Sequence, residues 1–308
     1  MLDIRYLEET IKSGSDAKAC AGRPLWIDAT DITDKEAATL QETFDLHPLT
    51  IEDLLNARTR IKVEAFPQYL FCVFYILRKE QLVELDIILH EKGAISNHRG
   101  SVDSLSVLLA DPSRLEPLLR KGHDFLFHRI LDMEVDNFFP ALEALETAIE
   151  GLEDEAISRP EPALLSRILE HKRRVVRIRK ITLAQREKIS TLAKSEQPLI
   201  TKKAVPYFRD VYDHAIRVAD MAESAREAVA NAFDVYLSTI SNNMNEVMKV
   251  LSVIATIALP LTVISGIYGT NFSNLPGAAI PNGFWVMLIG MVAMVVGMLL
   301  FFRKRGWF

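Results

Sequence analysis

Residues 266–272 read "GIYGTNF", and the polar pair in it, Thr270 and Asn271, stands between two long apolar runs. An amide and a hydroxyl donate and accept hydrogen bonds without carrying charge. Gly266 and Gly269 permit a tight turn at that point. The other residues suited to chemistry are dispersed. His123 and His128 are five apart and do not share a helix face as a metal pair would. His47, His90 and His98 are scattered and read as surface or capping residues. Cys72 lies in an apolar strand-like run and reads as core. No zinc-ligand cysteine pair, phosphate-cradling glycine loop or Gly-x-Ser-x-Gly elbow occurs, so the sequence does not read as an enzyme.

The elements around the Thr-Asn pair are long and uncharged. From Val250 to Phe302 there is no Asp, Glu, Lys or Arg. Two runs, Val250 to Tyr268 and Phe284 to Phe302, are each about 29 Å long as helices, matching a hydrocarbon core of ~30 Å. Lys249 precedes the first, Arg303, Lys304 and Arg305 follow the second, and the connection carries no basic residue. That asymmetry places both termini in the cytosol and the loop outside. Tyr268, Phe284, Trp285 and Trp307 sit where interfacial rings belong. Along the first run Asn245, Met248, Ser252, Ala255, Leu259, Thr262 and Gly266 recur at spacings of three and four and share one face. Lipid does not favour the polar members of that face, whereas a partner helix or a water-filled pore does. One copy brings two spans, too few to enclose a pore. Conduction therefore requires self-association with the first spans inward, and a pore-free helix seam is the alternative.

Upstream, the chain of 308 residues is charge-rich, with a net charge of −5 that argues against general nucleic-acid binding. Cys20 and Cys72 are the only cysteines, which excludes a disulfide scaffold and fits a reducing cytosol. The start "MLDIRYLEET" has no secretory pattern. Residues 24–31, 61–79 and 81–99 are rich in β-branched and aromatic residues and read as strands. Residues 33–45 and 47–56 read as capped helices, and 101–120 as short helical pieces around Pro112 and Pro117. From about 123 to 158 a single amphipathic helix is expected, then a turn at "SRPEP", then a helix from about 163 to 197 ended by Pro198. Acidic residues Glu143, Glu146, Glu150, Glu153, Asp154 and Glu155 on the way in oppose Lys172, Arg173, Arg174, Arg177, Arg179 and Lys180 on the way out, and neutralise the basic stretch "HKRRVVRIRK". A third helix from Pro206 runs to Tyr268, ~95 Å. Its residues Tyr207, Val211, His214, Val218, Met221, Ala225, Ala228, Ala232, Val235 and Thr239 form a heptad seam.

Several of these segments together resemble one family. "NEVMKVLSVIATIALPLTVISGIYGTNF", a second span and the basic end "RKRGW" are similar to the membrane segment of CorA-type magnesium and divalent-cation transporters, the CorA/ZntB superfamily. "HPLTIEDLLNARTRIKVEAFPQYLF", "AISRPEP" and "VPYFRDVYDHAIRVAD" are similar to that family's cytosolic part. Thr270 replaces the family's usual methionine, as zinc-transporting relatives of the ZntB type also vary there, and the loop lacks the carboxylates of many relatives. The resemblance implies an α+β chain: a cytosolic α/β domain over 1–130, a helical hairpin and stalk over 131–246, and a transmembrane pore domain over 247–308. The spans are about 248–268 and 284–302 and the outward loop is 269–283. It further implies a funnel-shaped homopentamer in a prokaryotic inner membrane, with self and the lipid bilayer as partners and neither nucleic acid nor another protein.

The ion implied is Mg²⁺, with Co²⁺ or Ni²⁺ next. A proton-coupled Zn²⁺ transporter is the alternative, and a non-conducting scaffold a second one. Mg²⁺ gives up its water reluctantly, and a ring of Asn271 amide oxygens with Gly269 carbonyls can bond its hydration shell without stripping it. Tyr268 and Thr270 complete that selectivity loop. By position Asn245 marks the cytosolic pore end, and Met248, Leu251 and Leu259 are constrictions. Thr262 is a mid-pore hydroxyl, and Ser252, Ala255 and Gly266 line the same path. Asp53, Glu52 and Asp210 match family positions that bind a regulatory divalent ion between protomers.

Overall fold

The computed structural model describes residues 1–56, 59–78, 80–194, 197–272, 275–277 and 281–307. The chain divides into two compact units, Met1–Glu155 with Glu161–Phe233, and Ala156–Pro160 with Asp234–Phe308.

The first unit is built on a seven-stranded sheet. Its strands are β1 (Leu2–Leu7), β2 (Ile11–Gly14), β3 (Leu25–Thr30), β4 (Lys62–Ala65), β5 (Tyr69–Arg78), β6 (Gln81–His90) and β7 (Gly93–His98), in the order β2-β1-β3-β7-β6-β5-β4. Among the described residues only β3 and β7 pair in parallel. Each of the two expected long strands is a hairpin pair. Pro67 and Gln68 turn the chain between β4 and β5, and Glu91 and Lys92 turn it between β6 and β7. Strands β1 and β2 were not anticipated, because Arg5, Lys12 and the acids around them mask the alternation. Lys79, the last residue of one expected strand, lies outside the described residues.

Helices α1 (Ala17–Cys20), α2 (Asp34–Phe44) and α3 (Pro48–Leu55) lie on one face of the sheet, where Leu40, Phe44 and Leu54 join Phe71, Val73, Ile88 and Ile95 in a buried core. Helix α2 starts with a reciprocal capping box between Thr33 and Glu36. His47 caps α3, its Nδ1 accepting from the Leu49 N–H. Helices α4 (Asp103–Ala110), α5 (Pro112–Lys121) and α6 (His123–Asp136) follow, and α6 lies against β5, β6 and β7. His90 and His98 are buried rather than superficial. His98 shares Asp28 with Ser96, which in turn accepts from the Trp26 indole. Burial works against a charged His98, yet the Asp28 carboxylate outweighs it and raises the imidazole pKa. Cys72 is fully buried, which pushes its thiol up.

The expected helix over 123–158 breaks at Asn137 into α6 and α7 (Phe138–Ser158). Helix α8 (Pro162–Leu192) ends short of Pro198; Ser195 and Glu196 of the longer expected helix lie outside the described residues. Its basic residues find several partners instead of one opposing acidic row. Arg167 pairs with Glu155 at 2.6 Å, Arg174 with Glu80 at 3.0 Å and Arg179 with Glu223, while Lys172 lies over the Phe233 ring.

Helix α9 (Val205–Tyr268) is continuous through both units. In the first unit its buried residues include Phe208, Val211, Ala215, Val218, Ala222, Ala225, Val229 and Ala232. Val211, Val218, Ala225 and Ala232 belong to the expected seam. The second row lies one residue later than Tyr207, His214, Met221 and Ala228. Both rows satisfy the same period, and packing decides between them. Phe208 is 0 % exposed and Val229 1 %, whereas Tyr207 is 46 % exposed. Phe208→Ala is therefore expected to cost about 3–5 kcal/mol of stability and Tyr207→Ala well under half of that; denaturant unfolding of the detergent-solubilised chain measures both.

Candidate functional site

Within the second unit, α9 from Asp234 onward meets α10 (Gly283–Lys304). Both helices are long and apolar enough to cross a membrane, with mean hydropathies of 2.3 and 2.6 over their most apolar windows. In α9 Val253 is buried and Ile257, Pro260, Leu261 and Ile264 are half-buried, all on one side. Ile264 and Tyr268 border a cavity of about 400 Å³ whose other wall is Gly283, Val286, Met287, Gly290, Met291 and Met294 of α10. Asn245, Met248, Leu251, Ser252, Ala255, Leu259, Thr262 and Gly266 are all exposed and lie away from that side of α9. The hydroxyls on this segment turn back onto the helix. Ser252 donates to Met248 O at 2.8 Å, Thr256 to Ser252 O at 2.7 Å and Thr262 to Ala258 O at 2.8 Å. Each oxygen keeps a lone pair that can accept from water. Pro260 removes one backbone donor without ending the helix.

Beyond the span, Gly269 N–H donates to Ser265 O, and Thr270 bonds Ile267 O through both its N–H and its hydroxyl, the latter at 2.7 Å. Thr270 thus closes the last helical turn. The Tyr268 hydroxyl donates to Pro276 O at 3.0 Å, tying the far side of the loop to the span. Asn271 and Phe272 are exposed. Ser273, Asn274, Ala278, Ala279 and Ile280 of the expected outward loop lie outside the described residues. At the other end, Lys249 donates to Gly306 O at 3.1 Å and lies over the Trp307 ring. Gly306 adopts a φ of 71°, a left-handed conformation that suits glycine.

The acidic residues expected at a regulatory site are in the first unit. Asp53, on α3, is half-buried and ion-paired to Lys62 of β4 at 2.6 Å; Glu52 beside it is exposed. Burial disfavours the Lys62 ammonium, but its bonds to Asp53 and Glu64 prevail and raise its pKa. Asp210 is exposed on α9. One turn later on the same face stands His214, and there the structure assembles a group that sequence reading missed. Asp132 and Asp136 of α6 and His214 of α9 bring ligand atoms within 4.8 Å of one another. His214 Nδ1 lies 2.8 Å from an Asp136 oxygen and 3.9 Å from one of Asp132. Asp132 also pairs with Arg129 at 3.1 Å. The i, i+4 spacing of the two aspartates was legible; that His214 faces them required the rotated seam of α9. One imidazole and two carboxylates suit a borderline divalent ion such as Co²⁺, Ni²⁺ or Zn²⁺ better than Mg²⁺, which prefers oxygen alone.

Residues 22–304 match the family described as CorA-like Mg²⁺ transporter protein. The chain belongs to this CorA-like family. It is 38% identical over 292 residues to the cobalt/magnesium transport protein CorA of Thermotoga maritima, covering 92% of this chain and 83% of that one. It is 24% identical over 298 residues to the zinc transport protein ZntB of Yersinia enterocolitica, covering 95% and 90%. The complete structure of the CorA magnesium transporter from Methanocaldococcus jannaschii superposes with a TM-score of 0.88 at 24% identity, over 100% of this chain and 99% of that one. The CorA-like architecture is therefore an N-terminal α/β domain, long helices and two candidate membrane helices, and a divalent-cation transporter is the class to which the chain belongs.

Proposed function

We propose that five copies of this chain form a funnel-shaped homopentamer that conducts hydrated Mg²⁺, and secondarily Co²⁺ or Ni²⁺, across the inner membrane. The observation that carries this reading is the division of α9 into two sides. One is turned to α10; the other, from Asn245 to Gly266, is exposed and includes an amide and two hydroxyls. A lone hairpin in lipid gains nothing from that side, whereas five such sides around an axis make a wet path. Residues 247–308 form the pore domain. Residues 1–130 and 131–246, with both termini, are cytoplasmic, a reading supported by the basic residues Lys249 and Arg303 to Arg305 at the cytosolic flanks. Asn271 rings the outer mouth, with Gly269 carbonyls below it. Thr270, bonded into the helix end, positions Asn271 rather than meeting the ion. The membrane potential drives entry with ~2.3 kcal/mol per charge per 100 mV. The relationship to a zinc transport protein over nearly the whole chain favours Zn²⁺ as the second reading.

Regulation is assigned to the acidic groups. A divalent ion between Asp53 and Glu52 of one copy and Asp210 of the next screens repulsion between apposed carboxylates and holds the closed state. Asp132, Asp136 and His214, one turn along α9 from Asp210, extend that site.

Asn271→Ala is expected to abolish divalent flux into liposomes while the oligomer mass is unchanged; full flux would remove the selectivity role. Flux measured side by side for Mg²⁺, Co²⁺, Ni²⁺ and Zn²⁺, with and without a pH gradient, separates the two ion readings. Asp210→Ala and His214→Ala should each keep flux and lose inhibition by internal metal, His214→Ala more for Co²⁺ than for Mg²⁺. Lys62→Gln frees Asp53 from its ion pair, and several-fold tighter inhibition by internal Mg²⁺ is expected from dose–response curves.

A further inference from the structure

The face of the sheet beneath α1–α3 is largely apolar, and one polar row crosses its middle. Lys62 of β4 pairs directly with Val73 of β5, Val73 with Asp86 of β6, and Asp86 with Asn97 of β7. Directly paired residues project to the same side, so Asp86 and Asn97 are neighbours in a core otherwise made of residues such as Phe71, Ile88 and Ile95. Asp86 is 2 % exposed and Asn97 4 %. The Asn97 amide donates both its hydrogens, one to Asp86 Oδ2 at 2.8 Å and one to Leu54 O at 3.1 Å. The remaining oxygens, Asp86 Oδ1 and Asn97 Oδ1, are both buried acceptors with no donor. Two orphaned acceptors on adjacent side chains are costly, and a charged carboxylate there is costlier still. A single proton on Asp86 removes the charge and supplies a donor where both oxygens lack one. A carboxylic acid and a primary amide then close a ring of two hydrogen bonds, N–H to oxygen one way and O–H to oxygen the other.

We propose that Asp86 is a proton-binding site: it is a neutral acid in the folded protein, donates its proton to Asn97 Oδ1, and through Asn97 clamps the end of α3 to the sheet. The groups around it agree. Burial and the Glu84 carboxylate on the same strand push the Asp86 carboxyl well above the carboxylate range, with Asp53 of α3 adding to them; the Asn97 bond and Arg99 act in the opposite direction. Arg99 is engaged at Leu55 O, and Lys62 at Asp53 and Glu64. Glu84 accepts from Thr59 N–H and the Tyr75 hydroxyl. Leu54 and Leu55, the two carbonyls held by Asn97 and Arg99, directly follow Glu52 and Asp53. Loss of the proton breaks the ring and places a buried carboxylate charge beneath the end of α3, so rising pH loosens α3. On the reading of Asp53 as a regulatory ligand given above, alkaline cytosol weakens inhibition by metal.

The sign is set by linkage. The folded carboxyl binds its proton more tightly than the unfolded one, so its stabilising effect is complete below the unfolded pKa and is lost as pH rises toward the folded pKa. Over that window the folding equilibrium falls by about tenfold per pH unit for this group. Asp86→Asn replaces the neutral acid by an amide of the same shape that forms the same ring with Asn97. The full chain in detergent micelles is unfolded by denaturant across the acid-to-neutral range. The expected result is a downward stability slope in the wild type that is flatter by about one proton in Asp86→Asn, with the variant at least as stable at neutral pH. Difference infrared spectra at neutral pH should show a protonated carboxyl stretch in the wild type that is missing from the variant. Equal slopes, no such band, or a variant that fails to fold would each overturn the site. Inhibition by internal Mg²⁺ is then titrated against pH in both proteins. The wild type should weaken with alkalinity and Asp86→Asn should not; if both weaken alike while the stability slopes differ, the proton site stands and its link to α3's metal ligands is overturned. Absence of flux from wild-type protein would sink the transport reading and leave the first two measurements intact.

Discussion

Everything in this chain depends on one helix meeting two incompatible solvents. Helix α9 is continuous from Val205 to Tyr268. In its first half, burial demands small or apolar residues on one side, and Ala215, Ala222, Ala225 and Ala232 meet it. In its second half, a hydrocarbon surround forbids charge and unpaired peptide groups. The hydroxyls of Ser252, Thr256 and Thr262 meet the second demand by bonding carbonyls one turn back. Each half therefore carries its own pattern, small and apolar residues on the buried side of the first and back-bonded hydroxyls in the second.

The polar chemistry of the first unit is arranged by depth. At the surface, Asp210, Glu52 and Asp136 are exposed and able to meet an ion. At intermediate depth, Asp53 is held by Lys62 and Asp132 by Arg129, so a cation arriving there competes with a resident one. In the interior, carboxyls survive only with hydrogen-bond partners. Asp28 lies among Ser96 and His98, and Glu134 accepts from Ser104 and Asn137. Burial raises the Glu134 pKa against the effect of those two bonds. The carboxylates of Glu52, Asp53, Asp132, Asp136 and Asp210, on α3, α6 and α9, lie outside that interior layer.

Some of this was open to reading and some was not. The two apolar runs, their basic flanks and the face from Asn245 to Gly266 follow from length and period, which a membrane constrains tightly. Helix α2 followed from its Thr33–Glu36 box. The rotation of the α9 seam did not, since rows beginning at Tyr207 and at Phe208 obey the same period and only packing against neighbouring helices distinguishes them. The Asp132–Asp136–His214 group was hidden for the same reason: its members come from α6 and α9, far apart in the chain, and meet only once that rotation is set. The β1–β2 hairpin was missed because its side chains alternate charge with apolar bulk too weakly. The Asp86–Asn97 pair depends on strand register, which no window along one strand contains.

The membrane hairpin is fastened at both extremities. Lys249 grips Gly306 and Trp307 across one end, and Tyr268 holds Pro276 across the other. Sliding of α10 along α9 would break the Lys249 clasp, while the Tyr268 clasp holds the loop to the end of α9. Tilting or swivelling α9 and α10 together leaves both fastenings intact.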